Sequence, residues 1–164
     1  MSAPDLIGMP LTAAAFAPYG EVLEASGEAD LIINQGNCGR WHDRAALDFD
    51  PNGRAGISIF KARPRSLPYT LALFERHPLG SQAFIPMAAS PYLVCVASDE
   101  SDKPVAPRAF LASPGQGINI GRNVWHGVLT PLGEPGLFAV VDRIGPGDNL
   151  VEHRLADPLL VAGP

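Results

Sequence analysis

The sequence predicts an all-β domain, a sandwich or closed barrel carrying one or two short helices at its edges. Glycine and proline number 17 each and are spread along the 164 residues. Helix interiors tolerate neither, so they punctuate many short elements. Between them lie apolar runs of 4–9 residues bounded by Pro, Gly, Asn or Asp, the pattern of short strands in a sandwich or barrel. The composition, 46% hydrophobic and 18% charged, is ordinary globular usage. A chain of this length can bury roughly 68–70% of its unfolded surface, so one domain over 1–164 is the expectation.

The first element is helical. In "LTAAAFAPYG" Thr12 is placed to cap the helix start and Gly20 to follow its end. Strands follow at "GISIFKA", "YTLALFERH", "QAFIPM", "YLVCVAS", "RAFLAS", "GINI", "NVWHGVL" and "LFAVVDR". No internal repeat, low-complexity tract or linker interrupts them.

Composition excludes several functions. A net charge of −5 argues against nucleic acid, whose binding depends on Lys and Arg neutralising phosphates. It also gives an anionic substrate no long-range attraction, so a site for one must hold its own cations. No apolar run reaches the ~18 residues of a membrane span. The opening MSAPDLIGMP lacks the basic start and apolar core of a signal peptide, and a cytoplasmic location follows by elimination. Cys38 and Cys95 are too far apart in sequence for a metal or redox motif and read as a reduced pair, Cys95 buried within its strand.

One constellation stands out. Residues two apart in a strand share a face, which puts Tyr69, Leu71, Leu73, Glu75 and His77 together and turns Thr70, Ala72, Phe74 and Arg76 away. Pro78 and Gly80 turn the chain, and a hairpin return would bring Gln82 opposite Glu75 and His77. His126 lies in another apolar strand, after a loop containing Gly115, Gly117 and Gly121. Two imidazoles and a carboxylate converging in a barrel make a ligand set for a divalent first-row metal. The plainer reading is a hydrogen-bonded structural histidine in each strand, with Glu75 paired to Arg76 or Arg108 at the barrel rim.

The E-x-H-x4-Q spacing and the later histidine resemble the paired motif of cupins, small double-stranded, jelly-roll-like β-barrels. Glu75, His77 and Gln82 stand in the first motif's three ligand places and His126 in the second motif's. The match departs from the usual pattern: Glu75 replaces a histidine, Gln82 replaces a glutamate, and "GRNVWH" replaces the usual P-x-G-x-x-H. Within cupins, "ERHPLGSQAFIPM", "GQGINIGRNVWHGVL", "VVDRIGPGDN", "RWHDRA" and "LTAAAFAPYGEV" closely resemble the ureidoglycolate lyase family, in order from about residue 10 to 150. That resemblance implies a cupin barrel, a homodimer, and cleavage of (S)-ureidoglycolate to glyoxylate and urea in allantoin and purine breakdown. The family tends to carry an arginine where this chain has Lys61, so the charge survives without bidentate carboxylate recognition.

The implied chemistry sets three requirements: a base for the hydroxyl proton, an acid for the departing nitrogen, and a cation for the carboxylate. His126 and Glu75 are the candidates for base and acid, in either order. His77 would hold the hydroxyl or a metal, and Gln82 the ureido group. If a metal binds, its ligands would be Glu75, His77, Gln82 and His126, and nickel, manganese or zinc would suit them; no organic cofactor is expected. For the carboxylate the chain offers Arg40, Lys61, Arg76 and Arg122. Lys61 is favoured because it alternates with Ile57 and Ile59 and would point inward at a strand end, while Arg76 is turned away. Each has a solvated-surface alternative. His42, in "RWHDRA", is a further candidate whose alternative is an exposed loop histidine. "VVDRIGPGDN" invites a catalytic reading for Asp142, but a structural ion pair of Asp142 with Arg143 at the end of a buried strand is the preferred one. Two other functions compete: a metal-dependent cupin oxygenase or isomerase on another small acid, and a barrel that binds a small carboxylate without turning it over.

Overall fold

The structure is a computed structural model and describes residues 3–164. Its elements run, in chain order, β1 (Leu6–Ile7), β2 (Met9–Pro10), α1 (Ala13–Phe16), β3 (Gly20–Leu23), β4 (Leu31–Ile33), β5 (Cys38–Arg40), β6 (Arg54–Lys61) and β7 (Tyr69–Arg76). They continue with β8 (Gln82–Pro86), β9 (Tyr92–Glu100), β10 (Lys103–Ala112), β11 (Gly117–Ile120), β12 (Trp125–His126), β13 (Thr130–Pro131), β14 (Leu137–Ile144) and β15 (Val151–Ala162). The protein is thus nearly all-β. A large sheet ordered β1-β15-β7-β12-β9-β10-β2, with β13 also on β9, faces a smaller one ordered β3-β11-β8-β14-β6. Together they form a nearly closed barrel of cupin type, as the sequence predicts.

Register explains which residues fill it. In β9, Tyr92, Val94 and Val96 belong to the inner core with Phe110, Phe84, Ile118, Ile120, Phe138 and Val140. Leu93, Cys95 and Ala97 alternate outward into a second cluster with Leu71, Phe74, Ala109, Trp125 and Val161. A strand apolar on both faces is therefore buried on both. The inner aromatics meet edge-on, Tyr92 against Phe138 at a centroid distance of 5.1 Å, and each fully buried side chain of this size contributes about 1.5–3 kcal/mol.

Three expectations need correction, and the longest strand goes unread in the sequence. The helix is a single turn: Thr12 caps it by accepting from the Ala15 N–H at 3.2 Å, but it ends at Ala17 before Pro18, and Gly20 already opens β3. β15 is the longest strand, yet its charges and Pro158 hide it in the sequence; its register against β7 shifts between Arg154 and Leu159, the irregularity that a strand proline requires. β7 and β8 are not a hairpin. They lie in different sheets, and the His77–Ser81 segment is a corner crossing between them. Gly80 is needed there, because a Cβ would come 2.7 Å from the Arg143 Cβ and 3.0 Å from the Phe49 ring. Finally, Leu71 joins Phe74 in the outer cluster, so the strict alternation of β7 breaks before Glu75.

Candidate active site

The site lies where the two sheets meet at the corner. His126 is paired across strands with both Glu75 and Val96. Val96 is an inner-core residue, and cross-strand partners share a face, so Glu75 and His126 point between the sheets. Across the gap, Gln82 is paired with Ile120 and Asp142, and Ile120 is inner core, which turns Gln82 and Asp142 inward too. The Pro78–Ser81 turn is what separates Gln82 from His77, so both sit at the same end of the barrel.

The chemistry-bearing atoms are held by their other ends. The His77 and His126 rings are 5.2 Å apart, centre to centre. His77 Nδ1 is 2.7 Å from the Asn149 carbonyl oxygen and His126 Nδ1 is 2.9 Å from that of Gly127. A carbonyl only accepts, so each Nδ1 carries the hydrogen and each Nε2 keeps its lone pair. Both Nε2 atoms are buried without a partner among the described residues, and so is Gln82 Oε1. Three buried acceptors without partners at one barrel end are costly to a structural core and are what a ligand site leaves open.

Electrostatics separates the two central groups. Burial pulls His126 down to about 4, against the Gly127 carbonyl and with some help from His77, so its imidazole is neutral at physiological pH. Burial also raises Glu75, which His77 opposes and Glu152, directly across on β15, reinforces.

The residues fit a divalent metal. Ligand atoms of Glu75, His77 and His126 all lie within 4.8 Å of one another, and carbonyl-anchored histidines with free Nε2 atoms are the arrangement metal ligands adopt.

A cavity of about 570 Å³ opens beside Glu75, lined also by Phe60, Lys61, Arg63, Arg65, Val128 and Leu129. Among the expected cations, only Lys61 lines it. Its orientation differs from expectation: Ile57 and Ile59 are 78% and 59% exposed, so the face Lys61 shares with them points outward, and it reaches the cavity from the rim. Arg76 is turned away as alternation requires, bonding Asp99 and Asp102 at 2.9 Å each beneath Trp125. Arg122 donates to the Pro78 carbonyl at 2.7 Å and so fastens the corner. Arg40 ends the exposed β4–β5 pair, and His42 follows it, exposed, with its N–H on Asp30; neither lines the cavity. Asp142 and Arg143 do not pair. Adjacent strand residues point oppositely, so Arg143 pairs with Asp50 while Asp142 accepts from Gln82 Nε2 at 3.2 Å.

Sequence reasoning misses Arg63, Arg65, Asn149 and Glu152. The "KARPR" run is a readable sign of a local cationic patch, and "GPGDN" of a turn rich in backbone acceptors; nothing in the sequence alone marks Glu152.

Comparison with known proteins bears on what this geometry serves. The family model described as ureidoglycolate lyase matches residues 3–162. The chain belongs to the ureidoglycolate lyase family. Among its curated relatives, a ureidoglycolate lyase of Rhodobacter capsulatus is 62% identical over 154 residues, 94% of this chain and 96% of that protein. One of Chelativorans sp. is 51% identical, with 93% of each chain covered. Ureidoglycolate lyase 2 of Rhizobium meliloti is 48% identical over 93% of this chain and 94% of its own.

Proposed function

We propose that the protein is a ureidoglycolate lyase, cleaving (S)-ureidoglycolate to glyoxylate and urea. The observation that carries this beyond family membership is the set of inward-facing acceptors, Glu75 and the free Nε2 atoms of His77 and His126, beside a cavity with its own cations. The substrate bears a hydroxyl, a carboxylate and a ureido nitrogen on or next to one carbon. Its breakdown needs no water: the carbon–nitrogen bond breaks, the carbon–oxygen double bond forms, and the hydroxyl proton ends on the departing nitrogen.

Of the two proton-transfer candidates, Glu75 has a stronger affinity for a proton than an ordinary carboxylate, whereas His126 has a weaker one than an ordinary imidazole. Glu75 therefore takes the hydroxyl proton. Because oxygen and nitrogen sit on the same carbon, one carboxylate spans both and returns the proton to the nitrogen, a contribution of about 10²–10⁴. With the hydroxyl hydrogen directed to Glu75, the Nε2 lone pairs of His77 and His126 and Gln82 Oε1 accept the N–H hydrogens of the ureido group, and Lys61, Arg63 and Arg65 hold the carboxylate. A divalent ion, if held by Glu75, His77 and His126, would supply a Lewis acid to the substrate oxygens.

A homodimer is part of the same proposal. β6 is an edge strand whose outward Ile57 and Ile59, with Ile85 and Met87 also exposed, form an apolar strip that a second copy would cover. A cytoplasmic location is supported by Cys38 and Cys95, both free thiols.

Purified protein supplied with racemic ureidoglycolate is expected to release glyoxylate and urea in equal amounts, consuming one enantiomer. Ammonia in place of urea would make it an amidohydrolase and end this reading.

A further inference from the structure

Gln82 is 7% exposed, and its two amide ends have different fates. Nε2 donates to Asp142 Oδ2 at 3.2 Å, and Oε1 is buried without a partner among the described residues. The pairing is not incidental, because β8 and β14 are in register with Gln82 directly opposite Asp142. A carboxylate accepts hydrogen bonds and an amide nitrogen only donates them. Asp142 can therefore bind only one end of the Gln82 amide, and an amide flipped by half a turn would set oxygen against oxygen.

We propose that Asp142 is a positioning residue that fixes the Gln82 amide with its carbonyl oxygen toward the substrate, so that the site presents an acceptor there and not a donor. This rests on the lyase reading, in which the group facing Gln82 is the ureido moiety, rich in N–H donors. A free glutamine would present nitrogen half the time and meet N–H with N–H. The other cross-strand neighbour, Ile120, has no polar side-chain atom, so Asp142 supplies the only orienting charge that the two flanking strands place directly opposite Gln82. The same "VVDRIGPGDN" segment also carries Asn149, whose carbonyl fixes His77; one strand end thus orients a group on each side of the site.

The test is a reciprocal exchange. Asp142→Asn removes the discrimination between amide ends, and Gln82→Glu sets carboxylate against carboxylate. In the double variant the asparagine amide introduced at position 142 again has a donor to give, and the new carboxylate at position 82 keeps one oxygen for the substrate. Each single variant is expected to lose about ten- to a hundredfold in kcat/KM, chiefly through KM for Asp142→Asn. The double variant is expected to be at least about tenfold more active than Gln82→Glu alone. Losses that simply multiply, or an Asp142→Asn enzyme with unchanged kcat/KM, would overturn the proposal. Wild-type turnover to glyoxylate and urea, measured alongside, tests the lyase reading separately. If wild type shows none, side-chain amide NMR still decides the point: the Gln82 NH₂ protons should be protected from exchange and lose that protection in Asp142→Ala, and equal exchange in both proteins would refute it.

Discussion

Arg76 directly follows Glu75 in sequence, yet strand alternation assigns the two to opposite faces and opposite purposes. Replacing Arg76 with alanine tests that division. The guanidinium bonds Asp99 and Asp102 and its Cζ lies 4.2 Å from the centre of the Trp125 ring. Its side chain is 10% exposed, whereas those of Asp99 and Asp102 are 45% and 87% exposed. Solvent therefore rehydrates both carboxylates once the arginine is gone, and each ion pair is discounted to about 0.2–1 kcal/mol. The cation–π contact adds about 0.5–1 kcal/mol, and the buried stem contributes packing of similar size. The sum is about 1.5–4 kcal/mol, which for a domain of this length lowers Tm by about 3–16 °C. Calorimetry would read that shift, and kcat/KM for ureidoglycolate, measured well below the new Tm, should stay within about twofold of wild type, since the outward face touches no substrate. A tenfold fall in kcat/KM with Tm unchanged would refute the assignment of faces on which the site is built.

Glu75→Gln should lower kcat by about 10²–10⁴. In the wild type kcat/KM should rise with pH through a Glu75 ionisation displaced above 4.5, because the base acts when ionised. A raised folded pKa means that Glu75 favours folding below its ordinary range and loses that contribution as pH rises through the folded value, so at neutral pH the Glu75→Gln protein should be the more thermostable. His126 is shifted the other way: its neutral form is the folded one, and the stability it confers is present above pH 6.5 and lost as pH falls toward about 4. His126→Gln should therefore flatten the stability profile between those values in acid denaturation monitored by circular dichroism. Asn149 donates no side-chain group to the site, but its Oδ1 accepts from the Leu79 N–H at 2.7 Å and its carbonyl fixes His77. Asn149→Ala should cut kcat/KM about tenfold by freeing that ring, with a Tm loss of only a few degrees.

Much of the fold is legible in the sequence because the signals are local. β6 to β11 and β14 announce themselves as apolar runs between turn residues, and Thr12 caps where a threonine before an alanine run should. What escapes depends on long-range pairing. β15 carries alternating charges and a proline, and is a strand only because β7 supplies its partner. The chemistry of Glu75, His77 and His126 is readable from period-two alternation within one strand and from the later histidine. Their mutual geometry is not readable: a hairpin is the natural expectation for a Pro-Gly turn, and the chain instead crosses between sheets at Gly80, bringing Gln82 in from the opposite wall. Lys61 shows the same limit. It does alternate with Ile57 and Ile59, but on an edge strand an apolar face can point outward, and periodicity alone does not say which face is inside. Asp142 and Arg143 look like partners because they are neighbours, when neighbouring strand residues are the pair least able to meet.

The most direct measurement is a crystal structure of the enzyme with glyoxylate bound. An oxygen on the product's aldehyde carbon should lie beside Glu75, and in the hydrated aldehyde the hydroxyl that takes the place of the departed nitrogen should donate to the Nε2 of His77 or of His126. Its carboxylate should face Lys61, Arg63 or Arg65. Glyoxylate seated elsewhere, or the two imidazoles turned apart with Gln82 in solvent, would contradict the convergence from which the mechanism is drawn.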